Sequence, residues 1–229
     1  MRSFIFLLAL VLGQNTLSHA QESPCYGVTA EIGTVQPRLS SAADVKGLTC
    51  FSIGGAYYHP FGDRWAVNVE AAYGSSKISG KAYSSLTSFS TQTLDLKTFS
   101  VNSNYIYILD EAQRFKVGLG VFADFALPSQ SKYASNIYFA SSAKAEDKYY
   151  LSGVFKTAGN QGLSALLMYN IKNAFQVGLR YKFALASVYD QTSNLTWKQN
   201  SLGLNLTYYF GTEPTRKSSN SKEKDKYKY

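Results

Sequence analysis

Histidine and cysteine are nearly absent from this chain, with two of each in 229 residues. His19 falls in the leader described below, so His59 stands alone for chemistry that needs an imidazole base. Two separated cysteines and one histidine do not make a structural zinc site. Long hydrophobic runs are missing too. Beyond the leader nothing approaches the roughly 20 apolar residues of a spanning helix, and the mean hydropathy of −0.17 is slightly polar. That excludes a helical membrane protein but not a β-barrel, in which only every second side chain meets lipid and window averages cancel.

The one apolar run is Phe4 to Leu12, preceded by Arg2 and followed by Ser18-His19-Ala20. Its length and small-x-small ending predict a cleaved secretory signal peptide over residues 1–20 rather than an anchor. Cys25 lies too far beyond the cleavage pattern for a lipoprotein. The remainder fits a single domain over 21–211. Eighteen tyrosines, 14 phenylalanines and 17 glycines suit β structure with aromatic girdles. The net charge is +8, part of it in Arg216, Lys217, Lys222, Lys224, Lys226 and Lys228. The stretch 212–229 lacks apolar periodicity and is expected to be a disordered, basic, periplasmic tail. Export and the lack of a binding motif argue against a nucleic-acid partner.

Period-2 alternation recurs along the chain. Trp65, Val67, Val69, Ala71 and Tyr73 share one face against Ala66, Asn68, Glu70 and Ala72. Phe115, Val117, Leu119, Val121, Ala123 and Phe125 oppose Lys116, Gly118, Gly120, Phe122 and Asp124, with Phe122 breaking the pattern. Phe175 to Phe183 and Leu202 to Phe210 alternate in the same way. Weaker alternation at Tyr26–Val35, Thr49–Tyr58, Phe99–Leu109 and Leu163–Tyr169 brings the strands to eight. Short connections at 60–64, 110–113 and 171–174 alternate with long ones at about 36–48, 74–92, 127–160 and 185–200. An outer-membrane barrel has this rhythm of periplasmic turns and surface loops, and it puts both termini in the periplasm.

Aromatics repeat near the strand ends: Trp65, Phe115, Phe175, Tyr57, Tyr107, Tyr169 and Tyr208 toward one boundary, and Tyr73, Phe125 and Phe183 toward the other. This suits two interfacial girdles. A soluble, lipocalin-like barrel is the rival architecture, but it would pack Trp, Tyr and Phe into a narrow lumen and expose Gly and Ser.

In strand count, loop rhythm and the closing strand Leu202-Gly203-Leu204-Asn205-Leu206-Thr207-Tyr208-Tyr209-Phe210, the chain resembles the small OmpA/OmpX-type outer-membrane β-barrels of Gram-negative bacteria. The resemblance covers about residues 25 to 210. It implies an all-β, eight-stranded, antiparallel up-and-down transmembrane barrel in the outer membrane, with outer-membrane lipid around it and no cofactor. Phe210 resembles the terminal aromatic signal read by the barrel assembly machinery, although 19 residues follow it here. Such a fold says little about activity.

Interior parity assigns Glu31, Glu70, Lys116, Asp124, Arg180 and Lys182 to the lumen, with Glu31, Glu70 and Arg180 near mid-depth and able to pair. Cys25 and Cys50 begin neighbouring strands at opposite ends, so no disulfide is expected between them. In the stretch 127–160, Tyr133, Tyr138, Phe139, Tyr149, Tyr150 and Phe155 suggest an aromatic ribbon extending strands five and six, able to engage a protein partner by strand addition. The basic tail is a second candidate contact. The expectation is a non-enzymatic outer-membrane protein with a structural, surface-interaction or accessory-subunit role. The alternative is a narrow channel for ions or small solutes. A surface lipid-modifying enzyme is disfavoured by the histidine count, since His59 stands beside the periplasmic turn at Pro60 and not on the surface side.

Overall fold

The computed structural model describes residues 24–39, 44–61, 63–85, 88–127, 132–139, 144–150, 159–172, 174–186, 188–190 and 195–210. The leader, Phe155 and the tail from 211 onward lie outside the described residues. Among the described residues eleven strands run β1 (Cys25–Leu39), β2 (Asp44–Pro60), β3 (Trp65–Ser85), β4 (Ser88–Ile108), β5 (Phe115–Ala126), β6 (Lys132–Phe139), β7 (Lys144–Tyr150), β8 (Gly159–Lys172), β9 (Phe175–Ala184), β10 (Val188–Asp190) and β11 (Leu195–Phe210).

Eight of them, β1, β2, β3, β4, β5, β8, β9 and β11, pair in sequence order, all antiparallel. The β1–β11 ladder, from Tyr26↔Phe210 to Leu39↔Trp197, closes the ring. Closure leaves no edge in the ring itself, the condition a β structure must meet to sit in lipid. Eight strands leave an interior only wide enough for side chains.

Residue parity sorts the two faces. Ile32, Ile53 and Leu119 stand 63%, 62% and 71% exposed on the outside, while the interior holds Asn68, Glu70, Asn102, Asn104, Gln176, Arg180, Asn205 and Thr207. The usual burial rule is thus inverted, which a water-facing surface would not tolerate over so much contiguous apolar area. At one end the outer wall carries cross-strand ring contacts: Trp65 with Tyr107 at 4.9 Å, Phe115 with Tyr169 at 4.9 Å, Tyr26 with Tyr57 at 5.4 Å and Phe175 with Tyr208 at 6.4 Å. Tyr73 pairs with Phe99, and Phe99 with Phe125, at the other end. The ten steps from Phe115 to Phe125 cover about 33 Å of strand at ~3.3 Å each. Tilted by ~40°, that spans roughly the 25 Å apolar band of an outer-membrane barrel.

The short connections fall at the Trp65–Tyr107 end, where Cys25 and Phe210 also lie. In one of them, Phe115 N–H donates to Asp110 Oδ1 at 2.7 Å and Gln113 N–H to Asp110 O at 3.0 Å, with Gln113 at φ 55°. At the opposite end the stretches expected as loops are largely strand. β3 and β4 remain paired from Gly74↔Thr98 up to Ser85↔Ser88. The expected ribbon differs as well. β5 stops at Ala126, where Leu127 N–H donates to Lys97 O at 2.7 Å. β6 then rejoins the β4 edge at Asp95↔Lys132 with the register slipped by three residues. The hairpin β6–β7 therefore extends β4 rather than β8, because β4 outlasts β5 and its edge would otherwise be unpaired. β10 stands to β9 along β11 in a similar way.

Candidate functional site

The lumen is organised in three charged levels. At mid-depth β9 presents Arg180, which is 2% exposed, between β1 and β3. Its Nη1 lies 2.7 Å from Glu31 Oε2 and its Nη2 2.6 Å from Glu70 Oε1. Asn68 Nδ2 donates to the same Glu70 oxygen at 2.7 Å. The fork of the guanidinium suits two carboxylates arriving from different strands, which an ammonium could not bridge with the same planarity. Room for this arrangement comes from Gly203 on β11: a Cβ there would meet Glu31 Oε1 at 2.6 Å.

Two residues farther along β9, Lys182 Nζ sits 3.1 Å from Asp124 Oδ1 and 5.2 Å from the Phe122 ring centroid. Phe122, the exception to the alternation, is thus an interior aromatic under a cation. Asn160 Nδ2 donates to Gln199 O at 2.9 Å beside this pair. Between this level and the middle one lies a cavity of about 60 Å³, lined by Glu31, Cys50, Ser76, Asp124, Asn160 and Lys182 among others. It has room for only a few waters.

Toward the turn end, Lys116 is fully buried, donating to Tyr58 Oη at 3.2 Å with its ammonium 4.6 Å from the Tyr58 ring centroid. Below and around it Tyr58, Ile106, Leu166, Met168 and Tyr209 form an interior apolar cluster with Ala56, Ala66 and Cys25. Sequence reasoning missed this plug because interior parity had been read as polar. The signal was present in Leu166 and Met168, which share a parity on β8.

Of the remaining candidates, Tyr133, Tyr138 and Phe139 lie on β6 and Tyr149 and Tyr150 on β7, with Tyr133 opposite Tyr149. Phe155 falls outside the described residues. Phe210 ends β11 opposite Tyr26, exposed, with its ring edge-on to Tyr208 at 5.8 Å. His59 stacks on Tyr57 at 6.2 Å. No disulfide joins Cys25 and Cys50, which lie opposite Tyr58 and Gly33 respectively.

A further polar cluster, outside the lumen, also escaped the sequence reading. Lys97 Nζ donates to Ser75 Oγ at 2.8 Å and to Asp95 Oδ1 at 3.0 Å, and Ser75 Oγ donates to Asp95 Oδ1 at 2.8 Å. Partial burial alone would raise the Asp95 pKa. The Ser75 and Lys97 hydrogen bonds outweigh it, helped by the charges of Lys97 and Lys77, and hold the carboxyl below its ordinary value.

A closed eight-stranded antiparallel barrel, apolar outside and ion-paired inside, is the architecture of the small outer-membrane-type β-barrels. No family model matches the chain, and no curated protein matches it. Among solved structures it is similar to Ail, the attachment invasion locus protein of Yersinia pestis, at 12% identity over 83% of this chain and 100% of that one, with a TM-score of 0.43. Neisserial surface protein A gives 14% identity over 82% and 100%, TM-score 0.43. The outer membrane protein OprG from Pseudomonas aeruginosa gives 12% over 83% and 98%, TM-score 0.41. Likenesses this distant carry no argument about activity.

Proposed function

We propose that the chain is an integral outer-membrane barrel that does not conduct and is not an enzyme, and whose role is carried by the sheet standing above the membrane. The observation that carries this reading is the contrast between the two parts of the molecule. The lumen is crossed by Arg180 clamped between Glu31 and Glu70 and stoppered below by Tyr58, Ile106, Met168 and Tyr209. The wall continues beyond Tyr73 for about 40 Å of strand on β3, at ~3.3 Å per residue, and gains β6 and β7 on the β4 edge. His59, the only histidine among the described residues, stacks on Tyr57 beside a turn, away from that protruding sheet. The protruding strands, with Tyr133, Tyr138, Phe139, Tyr149 and Tyr150 on β6 and β7, would meet a partner at the cell surface. Both chain ends would face the periplasm, where the basic tail offers a second contact.

Photo-crosslinkers placed at Tyr138 and at Tyr149 in intact cells test the reading. A discrete protein adduct from these positions, and none from Leu119 on the lipid-facing wall, is the expected result. Adducts to lipid alone from all three would sink the surface-interaction role. Planar-bilayer recording of the purified chain tests the channel alternative, for which steady unitary openings would be required.

A further inference from the structure

The cavity between the Arg180 level and the Lys182 level is bordered by two oxygens that nothing satisfies. Ser76 Oγ on β3 and Asn160 Oδ1 on β8 belong to side chains only 4% and 6% exposed, both residues line the cavity, and neither atom has a hydrogen-bond partner among the described residues. The Asn160 amide cannot turn to relieve this. Its Nδ2 donates to Gln199 O at 2.9 Å and faces Asp124 Oδ2 at 3.5 Å, so Oδ1 is held as an acceptor. The two carboxylates of the lining have spare capacity as well. Arg180 takes Glu31 Oε2 and Lys182 takes Asp124 Oδ1, which leaves Glu31 Oε1 without a hydrogen bond and Asp124 Oδ2 with only the long contact from Asn160. Four oxygens from β1, β3, β5 and β8 therefore border one small space with lone pairs to give.

Charge points the same way. Among the described side chains this half of the lumen sets Glu31, Glu70 and Asp124 against Arg180 and Lys182, three negative groups to two positive. Lys116, the next interior cation, lies eight residues before Asp124 on β5, about 26 Å at ~3.3 Å per residue, and is engaged with Tyr58. A water molecule would satisfy Ser76 and Asn160 but would leave one buried negative charge uncompensated, which is costly away from solvent. A cation meets both needs. An all-oxygen ligand set selects a hard ion. The described residues hold no cluster of three or more His, Cys, Asp or Glu side chains that could chelate a metal ion, and one excess negative charge calls for one positive charge. We propose that this cavity binds a single alkali cation, sodium or potassium, between Glu31, Ser76, Asp124 and Asn160. A volume of about 60 Å³ admits one such ion with a little water. The ion ties four strands of the ring together and acts apart from whatever the protruding sheet contacts.

Urea unfolding of the full chain in detergent micelles tests the site. At fixed pH and ionic strength, choline chloride is replaced stepwise by sodium or potassium chloride, so that only the small cation changes. The unfolding midpoint should rise with one of the two, and above its dissociation constant each tenfold increase should raise the ratio of folded to unfolded chain about tenfold. Ser76→Ala removes only an oxygen without a protein partner, so in choline it should match the parent. In sodium or potassium it should need at least about tenfold more cation for the same response. Glu31→Gln keeps the shape, removes the excess charge and should abolish the response. D95N, a carboxylate change on the outer wall, should keep it. Heat-modifiable gel mobility verifies that each variant is a folded barrel. Thallium(I), soaked into crystals of the parent as a potassium substitute, should give one anomalous peak in the lumen beside Asp124. A response undiminished in both S76A and E31Q, or thallium found only outside the lumen, would overturn the site. A midpoint indifferent to both cations but rising in acid would overturn it in favour of a proton held by Glu31 or Asp124.

Discussion

At the scale of single residues the lumen is governed by Arg180. Removing it leaves two carboxylates buried without a cation, so Arg180→Ala is expected to destabilise the barrel by about 3–5 kcal/mol, read from the urea midpoint in micelles. Replacing the whole set, as in R180M/E31L/E70L, should recover much of that loss, because apolar residues of similar volume avoid desolvating any charge. An R180A barrel as resistant to urea as the parent would contradict this account. Gly203→Ala is expected to strain the same clamp, since the added methyl would fall 2.6 Å from Glu31 Oε1 and 2.8 Å from Glu31 Cγ, a side chain that Arg180 holds in place. Asp95 answers to pH. Its folded pKa lies below the ordinary carboxylate value, so its contribution is complete above that ordinary value and is lost as the pH falls through the lowered one. With the Asp95 and Lys97 side chains about a quarter exposed, the effect is under about 1 kcal/mol. The amide protection factors around Ser75 and Lys97, corrected for intrinsic exchange, should fall in acid in the parent and show no such step in D95N.

At the scale of strands, legibility in the sequence follows solvent. The barrel segments were readable because one face meets an apolar medium and the other a polar lumen: Phe175 to Phe183 alternates cleanly and is β9 almost residue for residue. Lys77-Ile78-Ser79-Gly80-Lys81 carries a single large apolar residue and so shows no run of alternation, and a region of β3 read as loop is strand. β6 and β7 were half visible, as a ribbon of tyrosines, but their attachment to β4 depends on how far β5 climbs, which no local pattern encodes. Of the lumen residues, parity alone was enough to group Glu31, Glu70 and Arg180. The exterior cluster of Ser75, Asp95 and Lys97 was hidden because its members belong to two strands and meet only through register. Turns were legible by length, though not in detail. Gln113 adopts φ 55°, a left-handed conformation that costs a side-chain-bearing residue about 1 kcal/mol or more. Gln113→Gly should therefore raise the unfolding midpoint modestly, by up to about 1 kcal/mol, and a lowered midpoint would show that the Gln side chain contributes contacts of its own.

At the scale of the whole molecule, side chains fill the lumen and the wall carries a one-sided extension of the sheet. Bilayers containing the purified chain should show no steady conductance, and single changes at the mid-lumen level are expected to leave them silent because the Tyr58–Met168–Tyr209 plug remains. Unitary currents from the parent would refute the sealed lumen. The thiols Cys25 and Cys50 sit eight ladder steps apart along β1, about 26 Å at ~3.3 Å per step. Denatured, unreduced protein should accordingly titrate two free thiols. The seam between β1 and β11 has a temporal meaning. It joins residues roughly 160 to 180 positions apart, the most distant pairing in the ring. Until the stretch ending at Phe210 has been synthesised and delivered, the sheet has two raw edges and no inside, and neither the Arg180 clamp nor the lower stopper can exist. Sealing therefore requires the whole stretch from Cys25 to Phe210, and a chain cut short of it is an open ribbon rather than a tube.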